Sequence, residues 1–264
     1  RTKVSLELGN STPVIVTRSA DLDRAAEIAS ASAFGFAGQA CVSAQRVLAD
    51  ESVHDELLER LRRRAEETPA GDPTDPDVVV GPVISVEARD RIMTTIESTL
   101  ADGATLEAGG KVIDGNVIAP TLISGVPGDA YISCREIFGP VLVVTPTRSF
   151  DESLEIANST EYGLQASVFT ESLPETLEAA RRLEFGGVIV NDAPSWRADP
   201  MPYGGVKASG RTAGGGQPLT RAATIPANSS GVALPPRSTV LTWRSPSTVS
   251  SPAMTDAAAS VSPR

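Results

Sequence analysis

The residue in this sequence best suited to covalent chemistry is Cys41. It closes the segment Gly38-Gln39-Ala40-Cys41, which follows an alanine-rich stretch and precedes the apolar run at Gln45. The thiol is therefore expected on a loop, approached through the flexible Gly35 and Gly38. Loops held by a rigid scaffold commonly display catalytic groups, whereas an isolated cysteine is often only a small buried hydrophobe. The thiolate is the nucleophilic form, and a free cysteine, with a pKa near ~8.5, needs a base or a positive environment to supply it. Histidine is a poor choice of base here. The single histidine, His54, stands in Ser52-Val53-His54-Asp55-Glu56-Leu57, which reads as the solvated first turn of a surface helix. A Cys-His or Ser-His hydrolase would have to rest on that residue alone, so a carboxylate base is expected instead. The other cysteine, Cys134, shares no CxxC spacing with Cys41 and has no histidine beside it, so no metal site is expected. A disulfide between the two is not expected in a reducing cytosol.

The elements that must position Cys41 alternate in type. Val14-Ile15-Val16 reads as a buried strand, and Asp21 to Phe34 as a helix with Asp21 as its N-cap. Gln45 to Ala49 is predicted as strand. His54 to Glu67 is predicted as helix, with Leu57, Leu58 and Leu61 on one face, and Glu87 to Leu100 as a second long helix. Strands follow at Val117 to Leu122 and Val141 to Thr145, a helix at Asp151 to Asn158 and a strand at Ala166 to Thr170. The pattern closes with a helix at Pro174 to Leu183 and a strand at Gly187 to Asn191. Such alternation implies an α/β fold with a layered, mainly parallel sheet and flanking helices. Beyond Gly210 the periodicity fades into Ser, Pro, Ala, Gly and Thr, and residues 211–264 are expected to form a divergent, disordered tail.

The chain has 264 residues, 41% of them hydrophobic and 21% charged, with a formal net charge of -10. That is room for one large domain or two small ones, and the negative surface disfavours nucleic acid as a partner. No apolar run approaches the roughly 20 residues of a membrane span. The first residues lack the apolar segment and cleavage site of a signal peptide, so a cytoplasmic location is expected.

Three segments in order, Leu6-Glu7-Leu8-Gly9, Gly38-Gln39-Ala40-Cys41 and Glu136-Ile137-Phe138-Gly139-Pro140, resemble the core signatures of the NAD(P)-dependent aldehyde dehydrogenase family. Supporting matches are Asn158 with Tyr162-Gly163-Leu164, then Gly186-Gly187-Val188-Ile189-Val190-Asn191, then Pro202-Tyr203-Gly204-Gly205-Val206-Lys207. Cys41 follows Glu7 by 34 positions, as the family pattern requires. The resemblance is to the C-terminal, cysteine-bearing half of such an enzyme. It implies that Cys41 attacks an aldehyde, that hydride leaves for NAD or NADP, and that water hydrolyses the resulting thioester. It makes Glu7 the general base, which would otherwise read as a solvated carboxylate. Glu136 would accept hydrogen bonds from the nicotinamide ribose, and Phe138 would pack on the nicotinamide end; otherwise the segment is a turn before a strand. Leu8 and Gly9 line the same region as neighbours. The family is homo-oligomeric and takes small aldehydes.

The resemblance also divides the chain. Residues 1–16 are expected to be the end of a cofactor-domain segment carrying the base, residues 17–210 the catalytic domain, and the remainder the tail. Because the chain starts almost at the base-bearing motif, the N-terminal Rossmann-like domain and its oxyanion-binding asparagine are expected to be absent. Asn10 replaces the second glycine of the first signature, at an expected loss of backbone freedom. The sequence after Gly210 also departs from the family ending. The segment Asn191 to Pro202 resembles a substrate-lining loop of the branch handling lactaldehyde and glycolaldehyde, as does Gln45-Arg46-Val47. There Trp196 would wall the pocket, and Arg197 would meet an anionic tail or else pair with Asp199. Three functions remain in view: an aldehyde-oxidising half that needs a cofactor domain, a non-catalytic remnant serving binding or assembly, and a weak thioesterase or esterase using Cys41 and Glu7 alone.

Overall fold

The structure is a computed structural model that describes residues 4–198, 201, 203–213, 220–225 and 239–244. The chain enters through strands β1 (Val4–Glu7) and β2 (Thr12–Val16), crosses helix α1 (Leu22–Phe34), and returns as β3 (Ala44–Asp50). Helices α2 (His54–Glu67) and α3 (Val86–Ala101) lead to the short strands β4 (Thr105–Ala108), β5 (Val112–Asp114), β6 (Val117–Ile118) and β7 (Thr121–Ser124). The short helix α4 (Tyr131–Cys134) precedes β8 (Val141–Thr147). Then come α5 (Phe150–Asn158), β9 (Gln165–Phe169), α6 (Leu173–Arg182) and β10 (Gly187–Val190), and finally β11 (Gly210–Ala213), β12 (Thr220–Ile225) and β13 (Thr239–Arg244).

One nine-stranded sheet, in the order β13-β12-β10-β9-β2-β3-β8-β7-β4, forms the centre. Pairing is parallel from β12 to β7 and antiparallel only at the two outermost pairs. Val14 and Val16 of β2 and Val47 and Ala49 of β3 join the core beneath α1, α2 and α3. Ile15 and Leu48, between them, join the opposite core with Leu154 of α5 and Ala179 of α6. Side chains alternate faces along a strand, so strands covered on both sides must be apolar throughout. Capping starts the helices: Asp21 accepts from Arg24 N at 3.0 Å, Ser85 from Ala88 N at 3.2 Å, and Ser149 from Glu152 N at 3.2 Å. Among the described residues no helix is long and apolar enough to cross a membrane.

Several expectations need correction. The strand expected over Val117 to Leu122 divides at Ala119-Pro120: β6 pairs with β5 in a separate hairpin, while β7 joins the main sheet. Pro120 has no N–H to continue a ladder. His54 is not solvated; its side chain is 13% exposed, with Nδ1 2.8 Å from Asp55, because the first turn of α2 is drawn in with the buried Leu57 and Leu61. β2 lies between β9 and β3 in the main sheet. Of the region 211–264, the described parts are strands: β11 pairs with β1, β12 with β10, and β13 with β12. An open sheet edge offers unpaired backbone groups that even a weakly apolar segment can satisfy. The rest of that region lies outside the described residues.

Candidate active site

The site is built at the amino ends of β2, β3 and β8. After α1 the chain makes a left-handed turn, with Phe36, Ala37 and Gly38 at φ 54, 54 and 67°. Gly38 is obligatory there, because a Cβ on it would stand 2.0 Å from the carbonyl oxygen of Gly139. This close approach fixes the cysteine loop against the segment that carries Glu136 and Phe138. Gln39 ties the loop outward, accepting from Ile84 N at 2.8 Å and donating to Pro82 O at 3.4 Å. On the inner side, Ser43 Oγ donates to Ser32 O at 2.7 Å and Ala44 N to Ser32 Oγ at 3.1 Å. Cys41 is half-buried between these anchors, and both cysteines are free thiols.

Glu136 comes to the same place from the other side. Its Oε1 accepts from Asn10 N at 3.2 Å, and Gly9 lies so close that a Cβ there would be 2.5 Å from Oε2. Burial pushes the Glu136 carboxyl up, opposed by the Asn10 N–H and the charge of Arg91. Phe138, at φ 54°, is 39% exposed and shares with Glu136, Asn10, Ala40 and Gly139 the lining of a cavity of about 10 Å³, room for a single water. Glu7 ends β1 opposite Gly210. Among the described residues its exposed carboxylate has no hydrogen bond or ion pair, and it lies within electrostatic reach of both Cys41 and Tyr203. Leu8, beside it, is exposed.

The thiol's surroundings work mainly against ionisation. Burial raises the Cys41 pKa, with the negative charges of Glu136 and Glu7 acting in the same direction. The Tyr203 hydroxyl and Cys41's own N–H oppose them by hydrogen bonding the sulfur. Tyr203 was not singled out from the sequence beyond its place in a motif. The Arg197 guanidinium stands over its ring, 4.7 Å from the centroid. Trp196 packs on Ile189 and Met201, while Asp199, the alternative partner for Arg197, lies outside the described residues.

Four buried polar residues hold the frame. Ser209 Oγ donates to Gly9 O at 2.5 Å and accepts from Gly163 N at 2.9 Å, and its carbonyl accepts from Leu8 N at 2.9 Å. Gln45 Nε2 donates to Ile132 O and Arg135 O at 2.9 and 2.6 Å, and its Oε1 accepts from Ile137 N at 2.9 Å, which sets the approach to Glu136. Asn10 is not in the left-handed region; its side chain donates to Thr12 Oγ1 and Gln165 O and accepts from Leu164 N. The expected loss of backbone freedom at this position therefore does not arise. Arg46 donates to Ser11 O, Ile156 O and Ala157 O. Burial lowers its pKa to about 10, and the guanidinium meets the negative end of the α5 dipole. Cys134 lies on the Arg46 side, close enough to influence that guanidinium. No group of three or more His, Cys, Asp or Glu among the described residues is placed to hold a metal.

Residues 1–224 match the model of the aldehyde dehydrogenase family, and the chain belongs to that family. It is 39% identical over 208 residues to a 3-sulfolactaldehyde dehydrogenase of Priestia aryabhattai, covering 79% of this chain and 43% of that protein. It is 40% identical over 208 residues to a lactaldehyde dehydrogenase of Methanocaldococcus jannaschii, covering 79% and 44%. Among solved structures, glyceraldehyde-3-phosphate dehydrogenase GapN of Methanocaldococcus jannaschii, complexed with NADP, superposes with a TM-score of 0.75 at 40% identity, over 78% of this chain and 45% of that one. Lactaldehyde dehydrogenase of Escherichia coli does so with a TM-score of 0.77 at 31% identity, over 80% and 44%. The chain thus spans less than half the length of these relatives.

Proposed function

We propose that this chain supplies the catalytic half of an NAD(P)-dependent aldehyde dehydrogenase, with Cys41 as nucleophile and Glu7 as general base. The observation that carries the reading is the meeting of three distant segments, at Glu7, Cys41 and Glu136, at the amino ends of adjacent strands. The Cys41 proton passes to Glu7 through water, and Sγ forms a bond to the aldehyde carbon. The carbonyl electron pair moves onto oxygen, where the Cys41 N–H receives it. Bound NAD(P) supplies the hydride acceptor. Glu136 suits the nicotinamide ribose: Oε1 is held by Asn10 N, whereas Oε2 faces Gly9, which has no side chain to cover it. Phe138 presents its ring beside that carboxylate. Glu7 then takes a proton from the water that attacks the Cys41 thioester, releasing the acid and the thiol.

The substrate class is a small hydroxyaldehyde with a polar or anionic end. The Arg197 guanidinium lies over the Tyr203 ring, and its N–H groups suit such an end. Trp196 closes the outer wall, and the names of the relatives point to the same class. Expressed by themselves, these 264 residues are expected to make no NADH from glycolaldehyde. The oriented encounter of nicotinamide and Cys41 adduct is much of the rate, and the groups found for the cofactor among the described residues, Glu136 and Phe138, suit its nicotinamide end. A micromolar Kd for NAD by calorimetry would overturn that part. The esterase reading needs only Cys41 and Glu7, so p-nitrophenyl acetate turnover is the direct assay of the pair. Cys41→Ser should abolish turnover, while Cys134→Ala keeps it. Equal losses in the two variants would refute the nucleophile assignment.

A further inference from the structure

Two charged residues are buried among the described residues, and only one of them has a partner of opposite charge. Asp50 faces Arg18 at 3.3 Å, whereas Arg46 makes no ion pair. Carbonyl oxygens alone hold the Arg46 guanidinium. Nε and Nη2 donate to Ser11 O at 3.2 and 2.9 Å, Nη2 to Ala157 O at 3.3 Å, and Nη1 to Ile156 O at 3.1 Å. A guanidinium has five N–H groups, so one on Nη1 is left without a protein acceptor among the described residues. Carbonyl dipoles offset part of a buried charge, but an ion without a counter-ion stays costly in the interior. The depressed pKa of Arg46, about 10, reflects that cost.

Open space adjoins this cation. A cavity of about 280 Å³ lies between the sheet and the end of α5, with α4 on one side. Arg46 and Leu48 of β3 line it together with Thr145 of β8, the residue paired with Leu48 across the sheet. Ile156 of α5 and Ser133 of α4 complete the inner lining. Among the described residues the Thr145 hydroxyl makes no hydrogen bond, and Glu155 stands exposed at the rim. None of these residues lines the small cavity shared by Glu136 and Phe138.

We propose that this cavity is a binding site for a small aliphatic monocarboxylate, its anionic end on Arg46 and its hydrocarbon part against Leu48 and Ile156. The unbalanced guanidinium calls for one negative charge, and a carboxylate can accept from Nη1 and from the Thr145 hydroxyl together. A dianion is disfavoured by Glu155 at the entrance and by a chain whose formal net charge is -10. The two aliphatic side chains favour a ligand with apolar surface to bury. The volume lies at the lower end of ligand pockets, roughly 300–1,000 Å³, which sets the small size. The inference does not depend on the role given to Cys41, since the two sites share no lining residue.

The test is calorimetric titration of the 264-residue chain with sodium butyrate, and with butyramide, which has the same shape and no charge. Sodium chloride holds the ionic strength constant. Butyrate should bind about tenfold more tightly than butyramide, the scale of one hydrogen bond to a charged group, and should raise Tm as its concentration rises. Arg46→Met keeps the length of the side chain and removes the charge, so the preference for butyrate should vanish. Should that variant fail to fold, Glu155→Gln at the exposed rim still reads the charge of the ligand: it should tighten butyrate about two- to fivefold and leave butyramide unchanged. Equal binding of butyrate and butyramide by the parent chain, or binding of neither, overturns the proposal. So does a Glu155→Gln variant that binds butyrate as the parent does. Inorganic phosphate displacing butyrate at equal concentration would overturn the monocarboxylate class and leave a general anion site.

Discussion

The left-handed turn before Cys41 stores strain that a single substitution should release. Phe36 sits at φ 54° and ψ 27°, a conformation that costs a residue with a Cβ roughly 1–2 kcal/mol. Its side chain is 87% exposed, so removing it forfeits only a few tenths of a kcal/mol of burial. Glycine adopts the turn freely but gains freedom in the unfolded chain, which takes back about 0.4–1 kcal/mol. Phe36→Gly should therefore stabilise the chain by about 0.5–1 kcal/mol, an increase in Tm of about 2–3 °C for a protein of this size. Ala37 is the control, at φ 54° and ψ 34° but fully buried. Ala37→Gly gains the same relief and loses a buried methyl worth about 0.8 kcal/mol, so its net effect should be close to zero. Urea titration of the parent and both variants, with m-values compared to exclude a changed unfolded state, gives the numbers. A Phe36→Gly variant less stable than the parent by about 1 kcal/mol, or an Ala37→Gly variant more stable than Phe36→Gly, would refute the strain argument.

Two further outcomes follow from the frame and the charges. Ser209→Ala leaves Gly163 N without its partner and frees Gly9 O, at a cost of about 1–3 kcal/mol; thermal unfolding should register it, and an unchanged Tm would show that the clamp is dispensable. Glu136→Gln removes a negative charge that raises the Cys41 pKa, so iodoacetamide labelling near pH 8 should speed up. Slower labelling would mean that the carboxylate serves the thiol rather than opposes it.

Local chemistry made the interior of the sheet legible. Val14-Ile15-Val16 is apolar on both faces because helices cover both, and Asp21 caps the helix it precedes. Where a partner far along the chain decides the outcome, the local pattern fails. The segments Thr220–Ile225 and Thr239–Arg244 have too little apolar character to announce strands, and they form them against the edge that β10 leaves open. The same holds in the site. Cys41, Glu7 and Glu136 stand in recognisable motifs, but the placing of the Arg197 guanidinium over the Tyr203 ring shows in neither residue's local pattern. Ser209 and Gln45 likewise have no local signature: a serine or glutamine that clamps two loops reads in sequence like any other.

These contacts also explain how a reactive thiol is kept quiet. With burial and two carboxylates raising its pKa, Cys41 rests as the thiol, the form that resists oxidation and stray electrophiles. Lowering that pKa permanently with a cation would make a more abundant but weaker nucleophile, since nucleophilicity falls with basicity. A base near enough to take the proton on demand avoids that compromise. On the function proposed above Glu7 is that base, and among the described residues it has no hydrogen bond or ion pair to compete for the role. The two carboxylates differ in their surroundings: Glu136 is bound by Asn10 N and set by Gln45 through the neighbouring backbone, whereas Glu7 is exposed and, among the described residues, without a hydrogen bond or ion pair.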